Sequence, residues 1–211
     1  MYRFFIVIIS LLFISTASFT QDYSFPKPIQ SVAKSRKENL NKILDYRYKG
    51  GHWAFEMLIN KNFKYPEMSI KTCNIGIVLV NIEVNCEGEI TNLIFKNPLQ
   101  YGIEPELKKV FLLTEGNWNK CEDDKYTKIE IPIQFSLKGT ETNSVDPYIT
   151  IEGDNPGYVC RGDKHYFEKA VKYLKKKKGK KALPFIDILI KRNPLTPEFL
   201  EMKQDAIKLF K

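Results

Sequence analysis

The chain has 211 residues, 43% hydrophobic and 27% charged, a mixture that suits a folded globular protein and excludes a disordered one. That length holds one medium domain or two small ones. The formal charge of +8 is unevenly placed: residues 161–211 carry 15 Lys and Arg against 6 Asp and Glu, whereas residues 21–160 carry 17 against 19.

At the N-terminus a single Arg3 precedes the apolar run Phe4 to Ile14, and Ser15, Thr16, Ala17, Ser18 and Thr20 follow. A run this short suits a signal-peptide core better than a membrane span, which needs about 20 residues. Residues 1–20 are therefore expected to be an export signal cut near Thr20 and Gln21. A cut after Ala17 and an uncleaved anchor are the alternatives. No cysteine follows the run to take a lipid, and no second apolar stretch of spanning length occurs. Cys73, Cys86, Cys121 and Cys160 make an even set without a CxxC pair, which after an export signal implies disulfides rather than zinc or thioredoxin-like chemistry.

Residues 21–50 are polar, with Pro26 and Pro28 near their start, and are expected to form a linker or a loosely docked helix. Val32, Leu40, Ile43 and Leu44 give a helix over 31–46 only a thin apolar face. Trp53, Phe55, Met57, Leu58 and Ile59 predict a short helix, and Pro66 suits the start of a second one. The clearest pattern follows. Val78, Val80, Ile82 and Val84 alternate with residues that turn polar at Asn81 and Glu83, the period of a strand with one buried face. Glu87-Gly88 supplies a hairpin turn, and a second strand is expected from Glu89 to Lys96. Pro105, Leu107, Val110 and Phe111 then predict a helix stopped at Glu115-Gly116-Asn117. In a third strand Ile129, Ile131, Ile133, Phe135 and Leu137 point one way, and Lys128, Glu130, Pro132, Gln134 and Ser136 the other. A proline there removes a ladder donor, which places this strand at a sheet edge.

Residues 140–160 are rich in Gly, Pro, Asn and Thr and read as a linker, with a brief extended piece over Tyr148 to Ile151 as an option. Residues 161–211 read as three short basic helices. The first spans 163–178. The second spans 180–192, with Ala182, Phe185, Ile186 and Leu189 on one face, and the third opens at Thr196-Pro197, an N-cap followed by proline.

From Phe55 to Leu137 the chain resembles the TonB C-terminal domain family. The marks are Tyr65-Pro66, Gly76, Val78 to Val84, Gly88-Glu89-Ile90, Pro105 to Leu113, Trp118 and Pro132-Ile133-Gln134-Phe135. Asn119-Lys120-Cys121 stands where the family usually has a proline after its tryptophan. The resemblance implies an α+β domain over 51–139, a three-stranded antiparallel sheet of order 2-1-3 with short helices on one face. It also implies a partner, a protein or extended peptide such as an outer-membrane receptor segment, added as a strand along the third strand. Lys128, Glu130, Pro132, Gln134 and Ser136 are the candidate edge residues. The same proline and charges would serve equally to protect an edge from pairing. Ala170, Tyr173, Ala182 and Pro194 resemble one tetratricopeptide-type repeat, and a plain helical appendage is the alternative.

Cys73 and Cys86 bracket one extended strand, about 40 Å apart at ~3.3 Å per residue, so they cannot bond to each other. Two pairings survive. If the third strand runs antiparallel to the first, Cys86 and Cys121 share one end of the sheet, which favours Cys86–Cys121 with Cys73–Cys160.

No residue pattern supports catalysis, a cofactor or a metal. His52 and Glu56 are able to share a helix face but lack a second cluster, His165 stands alone, and Gly179-Lys180-Lys181 lacks the rest of a phosphate loop. Lys175, Lys176, Lys177, Lys178, Lys180 and Lys181 form a basic patch, either a solvated helix end or a contact for an anionic surface. Nucleic acid is not expected for an exported chain, and Arg161-Gly162-Asp163 is too short a match to an adhesion tripeptide to carry weight. The reading is a non-enzymatic, periplasmic or envelope protein of a Gram-negative bacterium that binds a partner by strand addition. The alternative is a scaffold whose basic helices make the contacts.

Overall fold

A computed structural model describes residues 23–27, 30–142 and 147–210. The expected export signal and both cleavage positions lie outside these. The architecture is α+β: four strands form one mixed sheet, accompanied by seven helices among the described residues. The elements run α1 (Gln30–Arg47), α2 (Gly51–Asn62), α3 (Glu67–Lys71), β1 (Gly76–Val84), β2 (Ile90–Lys96), α4 (Ile103–Leu112), β3 (Lys128–Leu137), β4 (Ile149–Gly153), α5 (Asp163–Lys175), α6 (Gly179–Arg192) and α7 (Pro197–Lys208).

The period-two pattern of β1 does what it predicts. Val78, Val80, Ile82 and Val84 are fully buried beside Ile129, Ile131, Ile133 and Phe135 of β3. This face is covered by Phe55 and Ile59 of α2 and by Ile103, Leu107 and Phe111 of α4. Leu40 and Leu44 bring α1 onto the same core, so α1 is docked rather than loose. Tyr48 then sets its ring edge-on to Phe55 and Trp118 at 5.2 and 5.1 Å. The β1–β2 hairpin closes as Asn85 exchanges backbone and side-chain bonds with Glu89, and a register shift lies at Glu83/Val84. Gly88 has φ +89, and a Cβ there would stand 2.6 Å from the Trp118 carbonyl oxygen, so both conformation and space require glycine.

The expected sheet of three antiparallel strands is one strand short. β1 is flanked by β2 and β3 as anticipated, but β4 adds to β3 in parallel, giving the order β2-β1-β3-β4. The linker expected over 140–160 therefore contains a strand. Its Ile149 and Ile151 are buried, and beyond the end of β3 Thr142 Oγ1 accepts a 2.7 Å bond from Gln134 Nε2. Cys73–Cys160 fastens the segment after β4 to the end of α3, and Cys86–Cys121 joins the hairpin to the loop before β3. These bonds imply folding in an oxidising compartment. No helix among the described residues is long and apolar enough to cross a membrane.

The C-terminal helices have their own core of Phe167, Ala170, Ala182, Ile186, Leu189 and Phe199. Tyr173 stacks on Phe185 at 5.7 Å. Part of the expected N-terminal linker also belongs here: Phe25 meets Phe167 at 5.1 Å, and the Tyr23 hydroxyl donates to Asp205. The helices are tied to the sheet where Asn97 Nδ2 donates to the carbonyls of Ile77 and Lys191 at 2.6 and 2.7 Å.

Candidate functional site

A sheet offers a partner its margins, because an outer strand carries a row of N–H and C=O groups without a neighbour. The expected margin was β3. Its second half is filled: Ile133 to Leu137 pair with Ile149 to Gly153, and Pro132 accepts the Tyr148 N–H at 2.8 Å. Gln134 and Ser136 are buried, and Gln134 bonds to Thr142. Pro132 sits where β4 begins. Its carbonyl faces β4, and the N–H that proline lacks would face the same way, so the ladder has no donor for extending β4 upstream. Lys128 and Glu130 remain at the uncovered half, facing solvent, with Lys128 3.4 Å from Glu83 and Glu130 3.4 Å from Lys96. Four uncovered residues, stopped at one end by proline and β4, are a poor seat for a guest strand. The β3 edge is thus corrected from a partner site to an internally occupied one.

The opposite margin belongs to β2. The Val84 N–H bonds to Thr127, on the β3 side of β1, so Leu79, Asn81 and Glu83 face β2. Their partners Lys96, Ile94 and Asn92 turn their backbone groups inward, and alternation turns those of Leu93 and Phe95 outward. No backbone partner reaches that outer row among the described residues. Leu93 and Phe95 rest their side chains on the main core, whereas Ile94 stands on the solvent face with 47% of its surface exposed. The sequence carries a sign of this that the period argument passed over: Leu93-Ile94-Phe95 breaks the alternation that a simple one-faced strand would keep.

Beside the start of β2 lies an open groove of about 710 Å³ lined by Glu87, Glu89, Ile90, Glu115, Trp118 and Lys120, among others. Trp118 is locked in its wall by a 3.1 Å bond from Nε1 to Thr114 Oγ1. Below the hairpin, Arg47 is fully buried. Its Nη2 donates to the Val84 and Asn85 carbonyls at 3.1 and 2.7 Å, while Nε and Nη1 find no partner among the described residues. Desolvation lowers its proton affinity below the ordinary arginine value. The spacing Leu40, Leu44, Arg47 puts this cation on the apolar stripe of α1, a signal that was readable in advance.

The remaining expected positions fall apart as sites. His52 Nδ1 lies 2.6 Å from Asp45 Oδ1, and bonds from His52 hold the Asp45 carboxyl below its usual range. The described residues contain no cluster of three metal-ligating side chains. Asp163 is buried at the start of α5, where Arg192 Nη1 and Asn193 Nδ2 donate to its two oxygens, so the Arg161-Gly162-Asp163 tripeptide cannot be presented. Lys175 to Lys178, Lys180 and Lys181 are all exposed around the α5–α6 turn. Comparisons with protein-family models, curated proteins and solved structures returned no match.

Proposed function

We propose that the chain is a non-enzymatic, exported envelope protein whose sheet domain is of the TonB C-terminal type and takes an extended segment of a protein partner along β2. The observation that carries this reading is the outer row of β2, which no backbone partner among the described residues meets, beside an exposed Ile94. The strand-strand-helix-strand order with β1 in the middle supports the TonB-type assignment, and the two disulfides support a periplasmic home. The receptor-derived segment that the resemblance implies would dock on β2, because β4 holds the margin of β3.

Magnitudes define what the partner must supply. The N–H and C=O groups of Leu93 and Phe95 offer four main-chain bonds at about 1 kcal/mol each. Association costs at least ~4 kcal/mol, so the ladder alone does not bind, and side-chain contacts at Ile94 must add to it. The test is capture of partners from envelope extract by the native chain, Ile94→Lys and Leu93→Pro. The first puts a charge on the exposed face, and the second removes an outward N–H while leaving the bonds to β1. Both are expected to lose the partner while thermal melts show a folded protein. Unchanged capture by both would refute the reading. A scaffold acting through the basic helices is the second reading, favoured by the exposed lysines at the α5–α6 turn. It gains if capture survives Ile94→Lys but fails in Lys176→Gln/Lys177→Gln/Lys178→Gln.

A further inference from the structure

The α5–α6 turn is built against its own local stability. The six lysines between positions 175 and 181 are all exposed, and none has a carboxylate within ion-pair distance among the described residues. Lys177 occupies left-handed backbone at φ +54, where glycine or asparagine would fit with less strain. Lys180 and Lys181 stand in the first turn of α6, which holds no acidic residue, so their charges oppose the positive end of the helix dipole. Like charges are gathered where their mutual repulsion disfavours them, and the start of α6 opposes Lys180 and Lys181 even though the end of α5 favours Lys175. A concentrated external anion relieves both the repulsion and the clash with the α6 dipole.

A second feature meets the lysines at the same place. Gly179 packs directly on the end of α7, where a Cβ would collide with the Ala206 carbonyl and approach the Phe210 ring to 3.0 Å. Leu209 and Phe210 are thereby held at the rim of the cationic turn, each with 39% of its surface exposed, and Lys180 Nζ lies 5.6 Å from the Phe210 ring centroid. A solvated helix end needs no apolar tip. A soluble polyanion has no use for one either. Cations around a small apolar wedge match an anionic bilayer, whose headgroups neutralise the lysines while the boundary region accepts the rings and chains.

We infer that the α5–α6 turn, with Leu209 and Phe210, is a docking surface for anionic lipid bilayers. The surface shares no residue with the β2 margin. Reversible electrostatic attachment of this kind weakens as salt shortens the Debye length.

The experiment is co-sedimentation of the full chain with vesicles of phosphatidylcholine alone and of phosphatidylcholine and phosphatidylglycerol in equal parts. Any contribution of the apolar run at residues 4–14 is common to both vesicles and cancels in the comparison. The native chain is expected to sediment with the anionic vesicles and to be released by salt. At about fivefold per lysine, Lys176→Gln/Lys177→Gln/Lys178→Gln weakens binding on the order of a hundredfold, and the same three changes to Arg restore it. Phe210→Ala weakens vesicle binding and leaves binding to heparin, a soluble polyanion, unchanged. Equal partition onto neutral vesicles, or full binding by the glutamine variant, overturns the inference. So does a Phe210→Ala chain that binds anionic vesicles as well as the native one, because a polyanion site without membrane contact then accounts for the lysines. The substituted side chains are exposed, and an unaltered thermal transition confirms that the variants are folded.

Discussion

Removing the Cys73–Cys160 bond, as Cys73→Ser with Cys160→Ser, tests how the fourth strand is kept. The bond spans 87 residues, and the chain entropy that it removes from the unfolded state is worth about 4.6 kcal/mol. Cys86–Cys121 spans 35 residues and is worth about 3.8 kcal/mol on the same basis. A domain commonly has ~5–15 kcal/mol in hand, so losing the first bond removes about 30% or more of the total. The loss is not spread evenly. Cys160 packs with Ile75 and Leu137, only seven residues beyond the end of β4, so without the bond β4 is held by its own five-residue ladder and the burial of Tyr148, Ile149 and Ile151. Urea unfolding should show the midpoint fall, and hydrogen exchange should accelerate at Thr150 and Glu152 well before it does at Val80 or Ile131. Opening β4 would also uncover the Gln134 and Ser136 stretch of β3, turning an occupied margin into a vacant one. A stability loss below ~1 kcal/mol at unchanged m, or exchange at Thr150 that does not respond, would refute the view that this disulfide secures β4.

Three further outcomes follow from the same structure. Arg47→Met keeps the volume and removes a buried, half-satisfied cation, so it should cost less than ~1.5 kcal/mol, whereas Arg47→Ala opens a cavity worth ~2–5 kcal/mol; equal losses in urea melts would count against the buried-charge argument. Gly88→Ala faces a positive φ and the Trp118 carbonyl together and should lose ~1–3 kcal/mol, visible as a lowered Tm. Burial first, then the charge and hydrogen bond of Asp205, push the Tyr23 hydroxyl from 10.0 up to about 12. The folded state therefore holds the proton longer than the unfolded one, so the contribution is full below pH 10 and is lost as pH rises toward 12. Tyr23→Phe should flatten that part of the alkaline stability curve, and an unchanged slope would show that Tyr23 is not linked to folding.

The elements that could be read in advance were those whose periodicity needs no neighbour to be understood. Val78 to Val84 and Ile129 to Leu137 each declare a buried face in their own residues, and the hairpin between β1 and β2 follows from Glu87-Gly88. α4 opens at Ile103 rather than Pro105, because Gly102, at φ +94, turns the chain into the helix two residues earlier. The disulfide pairing follows from strand direction, because Cys86 and Cys121 meet only if β3 runs against β1. β4 was legible only as an optional extended piece over Tyr148 to Ile151, because two isoleucines in a segment full of turn residues carry too little pattern to place a strand in the sheet. The edge role given to Pro132, Gln134 and Ser136 failed because β4 occupies that half of β3, leaving only Lys128 and Glu130 on an uncovered stub. A proline marks a strand with one unused donor, but it does not say which part of that strand stays uncovered. Arg47 was hidden differently: its place on the α1 stripe is visible, yet a cation is ordinarily assigned to water until the hairpin carbonyls above it are seen.

By itself the sequence determined the class of fold, three of the four strands, the four cysteines as structural, and the concentration of positive charge near the C-terminus. All of these are properties of composition or of short-range periodicity. Only the tertiary structure decided which margin is open, that the chain fills one edge of its own sheet, and that Phe210 sits beneath the lysine turn. Those outcomes depend on contacts between residues far apart in the chain, and no local pattern encodes the competition among distant segments for the same edge.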